Sequence, residues 1–317
     1  MSAAPHDIRD PWVGSTLAET YRIVRAIGEG GMGAVYEAEH TRLPRRFAIK
    51  VLRADYLKTG QWVERFRREA EISSQLRHPN IVEVVDYNHA GDGRPYIVME
   101  FLQGEDLADR LTRGPLPRGE ALRLLREVAG GLSVAHGRGV VHRDLKPQNI
   151  FLAQGDDGER RAKILDFGIA KLMANAGALT SENIVLGTPW YISPEQVLGQ
   201  RERVDARSDL FSLAVIAYQL LLGQAPFASD SVAATLHQVA YEAPPTPRQV
   251  DSAFPEGAET VLLRALAKDQ DERYDDAKHF VDALGAALEG RAPSVVTSAE
   301  PPSQVPTAPR EDPIPPG

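Results

Sequence analysis

The chain has 317 residues and no cysteine. That absence excludes structural disulfides, thiolate metal sites and cysteine nucleophiles together. Long hydrophobic runs are missing too. The most apolar stretch, residues 210–222, falls short of the about 20 residues that a bilayer-spanning helix needs. It reads instead as a buried core helix, entered through Ser208 and Asp209 and left at Gly223. The first 20 residues mix His6, Asp7, Arg9 and Asp10 with Pro5 and Pro11 and carry no apolar segment, so a secretory signal is not expected. Positive charge is in deficit. Lys and Arg number 36 against 44 Asp and Glu, a net charge of −8, which argues against nucleic acid as a partner because phosphate backbones call for dense Lys and Arg. The basic runs at residues 42–46 and 65–68 read as a solvated strand end and a solvated helix face. There is no internal repeat. A cytoplasmic chain without a membrane segment is expected.

What is present is enough apolar material, 43% of residues, to bury a large core in one large domain or two lobes. Residues 1–20 read as an irregular lead-in. Strand-like stretches follow at residues 21–24, 34–38 and 47–52. A helical segment comes next, with Trp62, Val63, Phe66, Ala70 and Leu76 on one face and Arg65, Arg67 and Arg68 outward. Two more strands are expected over residues 81–87 and 96–101. After Gly104 the spacing turns helical, over residues 120–136, 213–222 and 279–288. The pattern describes a small sheet-rich lobe at about residues 21–102 and a mainly helical lobe at about 103–290. Beyond that, eight of the 23 prolines crowd between Pro293 and Pro316. Such a stretch cannot bury enough apolar surface to offset its ordering entropy, so residues 291–317 are expected to form a disordered tail or a linker.

Chemistry concentrates in His142-Arg143-Asp144-Leu145-Lys146-Pro147-Gln148-Asn149 and in Asp166-Phe167-Gly168. Together they offer a carboxylate able to receive a hydroxyl proton, a lysine beside it, and an amide plus a second carboxylate as hard oxygen ligands. Mg²⁺ that carries nucleotide phosphates takes few protein oxygens and keeps room for the phosphates. Upstream, Gly28-Glu29-Gly30-Gly31-Met32-Gly33 matches G-x-G-x-x-G. By itself the pattern also suits a dinucleotide fold or a plain hairpin turn, but a dinucleotide fingerprint must open a helix. Here Gly33 leads into the strand-like residues 34–38. Small residues at such a turn let backbone N–H groups approach phosphates. Strand alternation puts Ala48 and Lys50 on one face.

Taken together, these motifs resemble the eukaryotic-like Ser/Thr protein kinases of bacteria, over about residues 21–288. The resemblance implies an α+β, two-lobed protein-kinase fold, a small antiparallel-sheet lobe plus a larger mainly helical lobe. It implies ATP and Mg²⁺ (Mn²⁺ can substitute) as cofactors and transfer of the γ-phosphoryl group to protein Ser or Thr hydroxyls. Residue by residue, Asp144 is the implied catalytic base, Lys146 neutralises the moving phosphoryl group, and Asn149 and Asp166 hold the metal. Lys50 contacts the α- and β-phosphates and pairs with Glu69, whereas Glu71, two residues on, points elsewhere on the helix. Ile27, Gly28, Glu29, Gly30, Gly31, Met32 and Gly33 cover the nucleotide. Met99 backs the adenine pocket, Glu100 and Leu102 bind its edge through their backbones, Val35 and Ala48 lie above the ring and Phe151 below it.

Residues 166–195 resemble an activation loop, closed by Ser193-Pro194-Glu195 where the family often has alanine first. Within it Thr180, then Ser181, is the expected phosphorylation site, with Arg143 as the phosphate's partner. Thr188 shapes the substrate site, Glu195 pairs with Arg273, and Asp209 ties down the catalytic loop. Protein substrates are the implied partners, and a transient homodimer for autophosphorylation fits the same picture. Two other readings stay open: a pseudokinase scaffold, which would normally show a lost Lys, Asp or Asn, and a small-molecule phosphotransferase of the same fold.

Overall fold

Alternation along residues 46–52 divides the small lobe into two apolar faces. Phe47, Ile49 and Val51 point to one side with Trp12, Tyr21, Ile23, Tyr36, Tyr96 and Val98, and Ala48 and Leu52 point to the other with Phe66, Ala70, Val82, Ile97 and Met99. The computed structural model describes residues 10–30, 33–58, 60–155, 158–167, 189–229 and 231–291. In it, β1 (Thr16–Leu17), β2 (Tyr21–Glu29), β3 (Gly33–His40), β4 (Arg46–Leu52), β5 (Val84–His89) and β6 (Pro95–Glu100) form an antiparallel sheet ordered β1-β2-β3-β4-β6-β5. Helix α1 (Gly60–Gln75) covers the second face through Phe66 and Ala70.

From Asp10 onward the lead-in is packed against the sheet. Trp12 is buried, its ring 6.2 Å from that of Tyr36 and under the Arg94 guanidinium at 4.4 Å. The Tyr36 hydroxyl donates to Asp10 Oδ2 at 3.0 Å. Isolated apolar residues such as Trp12 and Leu17 have no period to betray them. The strand expected over residues 81–87 also differs, because it starts only at Val84. Ile81 bridges Ile164 in parallel, and the Val82 N–H donates to Ile164 O at 3.0 Å. An apolar run that pairs across the lobe boundary looks, in sequence, like one that pairs within a sheet.

The large lobe holds α2 (Leu107–Leu111), α3 (Arg118–His136), α4 (Pro194–Val197), α5 (Ala206–Leu222), α6 (Val232–Tyr241), α7 (Pro247–Val250), α8 (Glu256–Ala265) and α9 (Ala277–Leu288). A second antiparallel sheet, β7 (Gly104–Asp106), β8 (Ile150–Gln154) and β9 (Arg160–Ile164), runs in that order beneath the small lobe. Helix α5 is buried on every side from Ser208 to Tyr218, as a helix apolar all round must be. It begins one turn earlier than expected, at the Asp205 cap whose side chain accepts from the Arg207 N–H at 2.8 Å. Gly223 closes it in the left-handed conformation, φ 80°. On α3, Gly131 lets β9 approach closely: a Cβ there would stand 2.8 Å from Ile164 Cδ1 and 3.2 Å from Asn80 O. Among the described residues no helix is long and apolar enough to cross a membrane. The proline-rich residues 292–317 lie outside the described residues.

Candidate active site

Among the described residues, Lys50, Glu69 and Asp166 come together, as do Asp144, Lys146 and Asn149. From above, β2 and β3 meet in a strand–turn–strand hairpin, in which the Gly30 N–H donates to Gly33 O at 2.8 Å and the Gly33 N–H returns to Gly30 O at 3.3 Å. Gly31 and Met32 lie outside the described residues; Ile27 and Glu29 are exposed on β2, and Gly28 lies opposite Val35. A Cβ on Gly33 would fall 2.2 Å from Val51 O, so only glycine permits this approach of β3 to β4. Val35 stands opposite Lys50 and packs with Ala48, Met99, Leu102 and Leu165 in one apolar cluster. Phe151, half-buried on β8, pairs with Asp106 of β7 and Lys163 of β9.

Lys50 Nζ joins the lobes electrostatically. It donates to Glu69 Oε1 at 2.7 Å and lies 3.1 Å from Asp166 Oδ1. Burial acts against its ammonium, but the Asp166 and Glu69 carboxylates outweigh that cost and hold its pKa above the ordinary lysine range. Glu71 turns away and pairs with Arg67.

From below comes the catalytic loop. Lys146 Nζ donates to Asp144 Oδ2 at 2.9 Å, and Asn149 Nδ2 donates to Asp144 O at 2.8 Å. Two non-glycine residues here hold a left-handed backbone, Arg143 at φ 64° and Asp166 at φ 37°. Their neighbours explain how. Asp209, fully buried at the start of α5, accepts from the Arg143 N–H at 2.8 Å through Oδ1. Its Oδ2 takes the His142 N–H at 2.7 Å and His136 Nε2 at 2.7 Å. The His142 ring in turn donates to Leu165 O at 2.9 Å and lies 4.9 Å from the Phe167 ring, while the Leu165 N–H reaches Asn149 O at 2.8 Å. One buried carboxylate thus fixes the backbone that presents both Asp144 and Asp166.

Arg143 carries a buried Nε without a hydrogen-bond partner among the described residues. Burial pulls its pKa below the usual arginine value, with Asp209 opposing the shift. Gly168, Thr180, Ser181 and Thr188 lie outside the described residues. In the next described segment, Ser193 caps α4. Gln196 Oε1 accepts the Ser193 N–H at 3.3 Å, and Gln196 Nε2 donates to Arg143 O at 2.9 Å, tying this segment to the catalytic loop. Arg273 grips Glu195 through two bonds, Nη2 to Oε2 at 2.9 Å and Nη1 to Oε1 at 3.1 Å. Ser208 Oγ adds a third bond to Glu195 at 2.5 Å. Burial would raise the Glu195 carboxyl, but Arg273 and Ser208 hold it below the ordinary carboxylate range.

Sequence reasoning assigned no role to His136, His142, Gln196 or Leu165. Gln196 had a local signal, since Ser-x-x-Gln is a capping box. His142 sat inside a quoted motif, but nothing local pointed to Leu165 O. His136 lies 73 residues from its partner, and no spacing rule reaches that far.

As a donor set the cleft suits a nucleotide-borne Mg²⁺. Asp166 supplies a part-exposed carboxylate, and Asn149, with its amide nitrogen spent on Asp144, keeps its carbonyl oxygen. Few hard oxygens with open positions are what such an ion takes, and the described residues contain no cluster of three or more His, Asp or Glu that would cage a metal alone.

The protein kinase domain family model matches residues 21–283. Among curated proteins, the serine/threonine-protein kinase pkn3 of Myxococcus xanthus is 43% identical over 283 residues, 87% of this chain and 51% of its own length. The serine/threonine-protein kinase PknB of Mycobacterium leprae is 38% identical over 291 residues, covering 90% and 46%. The chain therefore spans about half the length of these relatives. Among solved structures, the kinase domain of PknI from Mycobacterium tuberculosis matches with a TM-score of 0.67 at 32% identity, covering 86% of this chain and 98% of that one. With the family model spanning most of the chain and both lobes present, this chain belongs to the protein kinase family, beside the serine/threonine-protein kinases of bacteria.

Proposed function

We propose that this domain transfers the γ-phosphoryl group of Mg·ATP to Ser and Thr hydroxyls on proteins. The observation that carries the reading is the meeting of Lys50 and Glu69 from the small lobe with Asp166 from the large lobe, which also presents Asp144, Lys146 and Asn149 as one bonded group. A scaffold without activity has no use for all of these polar groups, and their placement costs backbone strain at Arg143 and Asp166.

In the reaction, the substrate hydroxyl donates its proton to Asp144 while its oxygen bonds to the γ-phosphorus. The bond from that phosphorus to the β–γ bridging oxygen breaks, and ADP leaves with the electron pair. Asp144 orients the hydroxyl and receives its proton late, so it needs no raised pKa. Lys146 lies beside it to neutralise charge on the transferred group. Lys50 anchors the α- and β-phosphates, and the glycine-rich turn lays backbone N–H groups over them. Asn149 and Asp166 are the residues that would hold Mg²⁺, which would supply screening of the phosphate charge. Met99, Val35, Ala48, Leu102 and Phe151 shape the adenine slot, read by the backbones of Glu100 and Leu102. Phosphorylation within residues 166–195, at Thr180 ahead of Ser181 as the candidate site, switches the enzyme on, by transfer between two copies in a transient homodimer. ATP supply puts this work in the cytoplasm, on protein partners and not nucleic acid.

The test is Asp144→Asn. Loss of the base should lower transfer to a generic protein substrate by about 10²–10⁴-fold with the melting temperature unchanged. Near-wild-type transfer by the purified variant would end the assignment.

A further inference from the structure

Strand β6 ends at Glu100, whose side chain does something its backbone role does not require. Glu100 Oε1 accepts from the Glu83 N–H at 2.8 Å and from Lys163 Nζ at 2.5 Å. The Glu100 N–H donates back to Glu83 O at 3.0 Å, so Glu100 holds both the backbone N–H and the backbone C=O of Glu83. The segment carrying Glu83 is stitched to β9 in its turn. Asn80 Nδ2 donates to Ala162 O at 2.8 Å, the Ile164 N–H to Asn80 O at 2.8 Å, and the Val82 N–H to Ile164 O at 3.0 Å. Lys163 closes the circuit from β9 to β6. Both charged side chains are mostly buried, 18% and 26% exposed.

The placement of Lys163 gives the bond its consequence. Three residues on, the chain reaches Asp166. Across β8, Lys163 stands opposite Phe151, and directly paired residues on adjacent strands share a face. One ion pair therefore spans from the edge that reads adenine to the strand that presents Asp166, passing beside the floor of the slot.

We propose that Glu100 and Lys163 are a positioning pair for the nucleotide: their bond sets the small-lobe hinge at a fixed register to β9, so that adenine and the metal-bound phosphates are gripped together. The inference rests on the reading of Glu100 and Leu102 as the adenine-binding edge. Without Lys163, the Glu100 carboxylate keeps one backbone donor and gains more by turning to water. The hinge peptide then loses its tie to the large lobe. The bond is made in a structure where Lys50 also meets Glu69 and Asp166, so it belongs to the assembled cleft.

The experiment uses the full chain as wild type, Lys163→Met, Lys163→Arg, Glu100→Gln and the Lys163→Met/Glu100→Gln double variant. Steady-state kinetics with varied ATP and a generic protein substrate would be joined to calorimetric titration with Mg·ATP. Lys163→Met and Glu100→Gln should each raise KM and Kd for ATP about three- to tenfold, the weight of one partly screened charge-assisted bond, with kcat kept within about twofold. Lys163→Arg should restore wild-type values, and the double variant should be no worse than the single ones. Unchanged KM in both single variants, or a rise in kcat at constant KM, overturns the proposal. So does failure of arginine to rescue. Wild type that binds no Mg·ATP in the titration would instead overturn the adenine-edge reading beneath it, and the two failures are told apart by that one control. Melting temperatures measured without nucleotide show that the variants are folded, and Glu100→Gln, nearly isosteric, carries the test if Lys163→Met is not.

Discussion

Replacing Arg273 with methionine should damage the large lobe far more than the loss of one surface ion pair. The Arg273 side chain is fully buried, and that of Glu195 is 3% exposed. All five guanidinium N–H groups are used: Nε on Ala267 O at 2.9 Å, Nη1 on Glu195 Oε1 at 3.1 Å and Arg207 O at 2.9 Å, Nη2 on Glu195 Oε2 at 2.9 Å and Lys268 O at 3.2 Å. Methionine fills much of the volume but supplies no donor. Glu195 is left with the Ser208 hydroxyl, and three carbonyls lose a partner. Breaking a buried pair by removing one member costs about 3–5 kcal/mol, a large part of the about 5–15 kcal/mol that holds a domain together.

Urea denaturation of wild type and Arg273→Met at pH 7 gives the difference directly, and repetition in acid adds a signature. In wild type the folded Glu195 pKa is depressed below its ordinary 4.5. The stabilisation it brings is therefore complete above about pH 4.5 and is lost as the pH falls through the folded value. In the variant the stranded carboxyl is shifted the other way by burial, so acid relieves it. The gap between the two proteins should start to narrow above pH 4.5, where the variant's raised carboxyl takes up its proton, and go on narrowing below it as wild type loses its stabilisation. A cost under about 1 kcal/mol at neutral pH, or a gap that stays constant into acid, would refute the reasoning.

Trp12→Ala should destabilise the small lobe by about 3–5 kcal/mol, the range for emptying a buried aromatic site, whereas Asp10→Ala should cost only about 1 kcal/mol for its bond to Tyr36. A Trp12→Ala protein that melts with wild type would show that residues 10–20 are dispensable decoration. Mass spectrometry of the active enzyme should find phosphate within residues 166–195 on Thr180 first. Its roughly −1.5 to −2 charge and acceptor oxygens would meet Arg143 Nε, which has no hydrogen-bond partner among the described residues. The Thr180→Ala/Ser181→Ala variant should then fail to autoactivate, and activation at the wild-type rate would place the switch elsewhere or nowhere.

Much of the site could be read directly because its chemistry is written in contiguous strings. Residues 142–149 fold as a single loop, and the side chains that act together there are neighbours in sequence. Lys50 was legible for a different reason: two-residue alternation on β4 separates it and Ala48 from Phe47 and Ile49 whatever the rest of the fold. The framework that aims these groups was not legible. Asp209 appeared as a tie to the catalytic loop only through family resemblance, and His136, which completes its bonding, has no sequence period linking it to position 209. The β7-β8-β9 sheet was missed because its strands are short and cut by polar residues such as Arg160, Arg161 and Lys163. Residues 81–83 misled because burial between lobes and burial within a sheet select the same side chains. Ser208 and Asp209 looked like a helix entrance, yet the buried polar pair lies inside the first turn and Asp205 does the capping.

The left-handed backbone at Arg143 and Asp166 sets stability and activity against each other at two single positions. A φ of 64° or 37° suits glycine better than any residue with a Cβ, and each such conformation costs on the order of 1–3 kcal/mol. Glycine at Asp166 would relax the chain and remove the carboxylate proposed to hold Mg²⁺, and glycine at Arg143 would remove the proposed partner of an activation-loop phosphate. Selection for a firmer fold would erode the cleft first at these two residues, so a library screened on stability alone should lose catalysis there before it loses anything else.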